Sequence, residues 1–308
     1  MNVLSLFDGM SCGQLALQRA GITINNYFAA EIDKYAIKVT QANFPSTIQL
    51  GDVTNIDPDS LPKIDLMIGG SPCQGFSFAG KQLNFDDPRS QLFFEYVRLL
   101  KALRPKYFLL ENVKMKKESM DIITDALGVE PIFINSNLVS AQNRQRYYWT
   151  NIPVDKLPDD KGIVLADILE DGHVDRDKSH CIDANYFKGG NLKSYFEKHR
   201  RQLVFSRDGM CHVGDAGISD KYAYVNRVYH PDGKGPSLVA SDGGHLQPKI
   251  SKGTTEYRKL TPLECERLQT VPEGYTDHVS NTQRYKMLGN GWTVDVVSHI
   301  FGGLTQCT

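Results

Sequence analysis

Residues 2–20, NVLSLFDGMSCGQLALQRA, pass from a short apolar stretch through a glycine-bearing turn into a segment whose apolar residues recur at helical spacing. A strand that turns on glycine into a helix is the opening half of a β–α–β unit. Glycine at position 9 lets the backbone turn tightly beside a ligand, and the helix start that follows offers unpaired N–H groups to an anion. The turn is not G-x-G-x-x-G, so the usual dinucleotide fingerprint is incomplete.

Working outward, the same alternation continues. NVLSLF, NNYFAAE, STIQLGD, KIDLMIGG, KYFLLENV, EPIFINSN and QRYYWTNI read as strands, with CGQLALQRA, KYAIKVTQANF and SQLFFEYVRLLKAL as helices between them. Strand–helix alternation predicts an α/β fold with a doubly wound, mostly parallel sheet covered on both faces. From about residue 160 to 255 the pattern gives way to Gly, Asp, Lys, His and Pro, with short strand-like pieces such as YAYVNRVYH and PSLVAS. This stretch is expected to form a smaller, loop-rich second domain. TVDVVSHIFGGL then places Val294, Val297, Ile300, Phe301 and Leu304 along one helical face. No helix precedes the first strand, so the last helix is expected to return and cover it. The expected domains are 1–160 completed by 280–308, and 161–279.

Composition narrows the function classes. The 308 residues are 41% hydrophobic and 23% charged, an ordinary globular balance. No apolar run approaches the roughly 18 residues of a membrane helix, and MNVLSLFDGM lacks the basic start of a signal peptide. Cysteines at 12, 73, 181, 211, 265 and 307 form no C-x-x-C pair, which fits a reducing cytoplasm and predicts no metal site. The net charge of −1 is unevenly spread. Arg176 to Arg207 holds eight Lys/Arg against three Asp/Glu, and residues 1–72 hold four against seven. A local excess of +5 is either a solvated surface or a phosphate-contacting one.

Several residues converge on the carboxyl edge where such sheets bind ligands. Glu31 ends the second strand, 22 residues after Gly9, where a carboxylate can accept hydrogen bonds from ribose hydroxyls; Asp52 ends the third. Together with the glycine turn they predict a nucleoside cofactor site. Cys73, in GGSPCQGFS, follows the fourth strand on a loop of turn residues, where a thiol is exposed and available for chemistry. Glu111 ends the fifth strand beside it. A thiolate and a carboxylic acid suit nucleophilic addition to a ring whose nitrogen is protonated at the same time. Gln142, Arg144 and Arg146 alternate with period two, on one side of a strand; the arginines could bind a phosphate or a pyrimidine carbonyl, or form a structural ion pair.

FDGMSCG, GGSPCQGFS, ENV, QNRQR, RKLTPLECERLQTVPEGY and LGNGWTV stand in the order and spacing of the DNA (cytosine-5)-methyltransferases, which the chain resembles over residues 3–150 and 257–304. The resemblance implies the Rossmann-like fold of S-adenosylmethionine-dependent methyltransferases and a target-recognition domain between the two matched stretches. It implies that Cys73 attacks C6 of a flipped-out cytosine, that Glu111 contacts and protonates N3, and that Arg146, helped by Arg144, holds the base. Phe7, Asp8, Gly9, Glu31, Ile32, Asp52, Val53, Pro72, Asn290, Trp292 and Val294 would hold S-adenosylmethionine. Gln74 and Ser77 of the cysteine loop, with Arg200 and Arg201 of the basic run, would contact duplex DNA. The chain departs from many members in reading Ser71-Pro72-Cys73 for Pro-Pro-Cys, and Asn290-Gly291-Trp292-Thr293-Val294 where a serine or alanine precedes the valine. Both variants resemble the de novo animal and some phage enzymes. The expected activity is sequence-specific methylation of cytosine C5 in DNA by a bacterial or phage-encoded enzyme, monomeric on DNA, with a cognate restriction endonuclease as a further partner. The alternatives are a tRNA cytosine-5 methyltransferase and a catalytically silent DNA-binding regulator.

Overall fold

A computed structural model describes residues 1–71, 88–205, 212–215, 227–229, 249–250 and 257–305. Its centre is a seven-stranded sheet in the order β3-β2-β1-β4-β5-β7-β6. The strands are β1 (Asn2–Leu6), β2 (Asn26–Ala30), β3 (Ile48–Gln49), β4 (Leu66–Gly69), β5 (Tyr107–Val113), β6 (Pro131–Asn135) and β7 (Gln145–Thr150). All run parallel except β7, which is antiparallel to both neighbours. Strand order reverses between β1 and β4, so the crevice of this switch point lies at their carboxyl ends. Burial explains the composition of the central strands: Val3, Leu4, Leu6, Leu66, Met67 and Ile68 are wholly enclosed, as expected of strands covered on both faces.

The helices of this half are α1 (Cys12–Arg19), α2 (Lys34–Asn43), α3 (Pro88–Leu103) and α4 (Lys117–Leu127). The alternation in sequence did not reveal α4. Its lysine-rich lead-in hides a short apolar stripe, of which Ile123 and Leu127 are buried, and Trp149 donates to Thr124 at 3.0 Å. The third strand shrinks to two residues because it is the sheet edge, with Leu50 N–H still bonded to Ala29 O at 2.8 Å. Glu111 lies inside β5 rather than at its end, since pairing with β7 extends that strand to Val113.

Beyond the sheet lie α5 (Leu192–Lys198), β8 (Leu203–Phe205), and a three-stranded sheet of β9 (His212–Asp215), β10 (Arg227–Tyr229) and β11 (Lys249–Ile250). β12 (Tyr257–Lys259) pairs antiparallel with β8. Three helices follow: α6 (Pro262–Leu268), α7 (Asn281–Asn290) and α8 (Val294–Gly302). PSLVAS lies wholly outside the described residues, and of YAYVNRVYH only Arg227–Tyr229 are described. Thr261 and Glu264 form a capping box at the start of α6, with Pro262 in the first turn. Glu264 is fully buried yet satisfied on every side, by Arg258 Nη1 and Nη2, Glu170 N–H and Thr261 N–H, each at 2.8–2.9 Å. Glu266, equally buried, accepts from Arg284, Gly274 N–H and both donors of Thr276. Buried carboxylates survive only when compensated in this way, so much of RKLTPLECERLQTVPEGY is a structural cassette.

Val294, Val297, Ile300, Phe301 and Leu304 are all buried, and α8 packs on α1, pinned by an ion pair of Arg19 with Asp295 at 2.6 Å. The same apolar cluster takes in Leu165, Ile168, Ile182, Tyr186, Val204, Leu260 and Leu268.

Candidate active site

The turn after β1 is held in an unusual shape. Phe7 and Ser11 join Gly9 at positive φ, 58°, 61° and 60°. Left-handed residues other than glycine persist only where neighbours over-determine them. Here Glu31 supplies the restraint: its carboxylate accepts Gly9 N–H at 2.8 Å and the N–H groups of Ile32 and Asp33, each at 2.8 Å. Three of about four lone-pair sites are thereby used, which leaves one facing outward. Asp8 turns its oxygens inward, to the hydroxyls of Tyr27 at 2.7 Å and Ser11. Burial pushes its carboxyl up to about 6, although both hydroxyl bonds pull the other way.

Around this turn opens a cavity of about 470 Å³, within the range of small-molecule sites. Phe7, Asp8, Gly9, Glu31, Ile32, Asp52, Val53, Asn290 and Trp292 all line it. Asp52 spends Oδ1 on Thr54 N–H and hydroxyl, at 2.9 and 2.8 Å, and these bonds hold it below the usual carboxylate range. Arg98 grips the carbonyls of Val53 and Ile56 and so fixes the backbone beside it. Ile32 is 75% exposed, an apolar side chain without cover at the cavity mouth. Across that mouth Lys286 of α7 reaches Asp33 at 2.7 Å. An apolar shelf, an outward carboxylate and a lip of polar groups fit an adenosyl cofactor. The Lys286–Asp33 closure links positions 253 residues apart, so nothing in the sequence could signal it.

The far wall carries Glu111, which is 9% exposed. Arg146 Nε stands 2.7 Å from its Oε1, and Trp292 Nε1 donates to its Oε2 at 3.1 Å. Ser71, two residues before Cys73, also lines the cavity. Cys73, Pro72, Gln74 and Ser77 themselves lie outside the described residues.

Three expectations need correction. Gln142, Arg144 and Arg146 do not share a strand, since β7 begins at Gln145. Gln142 is fully buried and donates to Leu268 O and Gln269, while Arg144 is 2% exposed and donates to Ile182 O at 3.1 Å, Gly289 O at 3.1 Å and Gly291 O at 2.7 Å. Arg144 therefore borders the cavity but spends its guanidinium on three carbonyls and the Cys181 sulfur, and of the two arginines only Arg146 reaches Glu111. Val294 does not line the cavity: it starts α8 with its side chain wholly in the core and its N–H on Gln269 O. In the basic run Arg200 is exposed, whereas Arg201 is half-buried at φ 56° and donates to Gly189 O at 2.7 Å. Carbonyls of other segments, which sequence spacing does not show, claim the side chains of Gln142, Arg144 and Arg201.

The sheet order, the glycine turn at β1, the acidic residue after β2 and the cavity at the switch point define a nucleoside-cofactor-dependent methyltransferase fold. In structure the chain is similar to the methyltransferase EhMeth of Entamoeba histolytica, with TM-score 0.68, 18% identity and coverage of 100% of this chain and 98% of that one. It is also similar to Spodoptera frugiperda DNMT2, with TM-score 0.64, 20% identity and 99% coverage of both. In sequence it is 31% identical over 313 residues to the type II methyltransferase M1.ScrFI of Lactococcus lactis subsp. cremoris, covering 97% of this chain and 76% of the relative. M.NlaX of Neisseria lactamica is 30% identical over 318 residues, covering 97% and 94%. The family model of C-5 cytosine-specific DNA methylase matches residues 1–306, and the chain belongs to that family. It is a DNA (cytosine-5)-methyltransferase that uses S-adenosylmethionine as methyl donor.

Proposed function

We propose that Cys73 is the nucleophile of a sequence-specific reaction on a flipped-out cytosine, with Glu111 as its acid. The observation that carries this reading is the Glu111–Arg146 pair at 2.7 Å on a cavity wall shared with Ser71, immediately upstream of the cysteine loop. A target base stacked in duplex is out of reach of any side chain, so it must leave the stack at a cost of a few kcal/mol. The Cys73 thiolate forms a bond to C6, the C5–C6 π pair shifts to C4–C5, the C4–N3 π pair shifts onto N3, and Glu111 gives a proton to N3. C5 thereby becomes nucleophilic. Bound S-adenosylmethionine supplies an electrophilic methyl group. Loss of the C5 proton to solvent, return of the N3 proton to Glu111 and breakage of the C6–S bond then release Cys73 as thiolate. Arg146 keeps the Glu111 carboxylate oriented through these steps.

Glu31, Asp52, Ile32 and the backbone at Val53 would hold the adenosyl group, with Asn290 and Trp292 on the opposite wall. Segment 161–279 would recognise the target site, its ends anchored in the main apolar cluster through Leu165, Ile182 and Leu268. Exposed Arg200 would contact phosphate. The type II relatives support a cognate endonuclease as partner, and the protein would act as a cytoplasmic monomer on duplex DNA. Among the described residues no helix is long and apolar enough to cross a membrane.

Labelled methyl transfer offered DNA or tRNA separates the substrates, and DNA alone should be labelled. Cys73→Ser should abolish transfer without unfolding the protein, and duplex containing 5-fluorocytosine should trap a covalent adduct, because fluorine cannot leave as a proton. Methylation by the serine variant would sink the mechanism.

A further inference from the structure

Trp292 sits on the turn between α7 and α8. Its indole is accommodated by glycine at position 70. A Cβ on Gly70 would lie 3.0 Å from both Trp292 Nε1 and Glu111 Oε2, and one on Gly13 would lie 3.4 Å from the ring and 2.4 Å from Ile68. The turn that carries Trp292 is fastened from three sides. Arg144 binds the carbonyls of Gly289 and Gly291, Gln269 binds those of Leu288 and Gly291, and Thr293 is bonded to Gln269 and Ser136. The indole N–H consequently meets Glu111 Oε2 from a rigid support, opposite the Arg146 contact on Oε1.

We infer that Trp292 is a positioning residue for Glu111, holding its carboxylate aligned for the target base through the indole N–H. This inference rests on the proposed roles of Cys73 and Glu111. Trp292 takes one lone-pair site on Oε2 by a hydrogen bond while Arg146 stands as an ion-pair partner beside Oε1, so Glu111 keeps acceptor sites for the base while it loses rotational freedom. The same residue lines the cofactor cavity, so a cofactor role and a positioning role need separate readouts.

Cofactor-free exchange provides one. With Cys73 added at C6 and N3 protonated, C5 accepts a solvent proton, releases its original hydrogen as a proton, and the C6–S bond breaks to regenerate cytosine. Tritium released from duplex DNA labelled at cytosine C5, with no cofactor present, measures addition and protonation alone. Trp292→Phe keeps an aromatic ring against the cavity and deletes only the donor. Exchange should slow by about tenfold, as expected for losing a hydrogen bond to a charged group, while calorimetric affinity for S-adenosylhomocysteine changes less. Retained binding also reports that the variant is folded. Gly70→Ala, which crowds the gap between indole and carboxylate, should slow exchange as well and serves if the phenylalanine variant does not fold. Wild-type exchange rates in both variants would overturn the inference, as would a Trp292→Phe defect confined to cofactor affinity. Absence of exchange in the wild-type protein would instead overturn the underlying Cys73–Glu111 reading, and the inference with it.

Discussion

Arg144→Ala should destabilise this protein because Arg144 is a buried clamp. At 2% exposure it donates to the carbonyls of Ile182, Gly289 and Gly291. Gly291 O keeps a second donor, Gln269 Nε2 at 3.0 Å, and Ile182 O keeps only the weak thiol donor of Cys181 at 3.4 Å, so truncation orphans Gly289 O and leaves Ile182 O poorly satisfied. An unsatisfied buried carbonyl costs about 1–3 kcal/mol, giving roughly 2–6 kcal/mol gross. Burial already lowers the pKa of the Arg144 guanidinium, a sign that its charge is costly to keep there, so removing it returns part of that sum. The expected net loss is about 2–4 kcal/mol. Arg144→Lys retains the charge, but one ammonium cannot serve carbonyls on both sides of the planar fork, and it should lose about half as much. Urea titration of the first unfolding transition, followed by circular dichroism, reads these differences through the shift in midpoint. If Arg144 instead held the base or its phosphate, Arg144→Ala would leave stability within about 0.5 kcal/mol of wild type and weaken DNA binding tenfold or more. That pattern would refute the clamp.

Glu31→Ala should weaken S-adenosylhomocysteine binding by about ten- to a hundredfold, the worth of charge-assisted hydrogen bonds, and calorimetry on a folded variant showing unchanged affinity would remove Glu31 from the site. Asp8 should make stability depend on pH. Its carboxyl rises from 3.8 to about 6 in the fold, so the native state binds the proton more tightly and wild-type stability falls as pH climbs through that interval. The shift of 6 − 3.8 = 2.2 sets an upper bound of about 3 kcal/mol, and Asp8→Asn should gain on wild type by about 1–3 kcal/mol between pH 4.5 and 7.5 in denaturation midpoints. A difference independent of pH would show that Asp8 ionises normally. Arg200→Ala should weaken binding to all duplexes alike and reduce the salt slope by about one unit, with cofactor affinity unchanged, and superimposable slopes would place Arg200 on an ordinary solvated surface.

Local sequence determined the strands of the main sheet and most of the helices between them, α4 excepted. Apolar runs, helical spacing and the glycine turn at Gly9 suffice because each strand or helix is specified by contiguous residues, and the alternation of types leaves a parallel sheet as the way to bury them. The acids at the carboxyl edge were legible for the same reason: Glu31 and Asp52 follow strands whose direction fixes where they emerge. That the last helix returns to the first half also follows from its apolar face, although its contact with α1 came only from the structure.

Tertiary structure decided which polar side chains are free to act. Arg144 and Arg146 are two residues apart and alike in sequence, yet one is consumed by carbonyls up to 147 residues away and the other faces Glu111 at 2.7 Å. Arg201 gives a guanidinium N–H to Gly189 O and Val294 turns its side chain into the core, while Lys286–Asp33 and Trp292–Glu111 were added to the cavity lining. A hydrogen bond depends on where two distant segments meet to within a few tenths of an ångström, and no local pattern of residues encodes that distance.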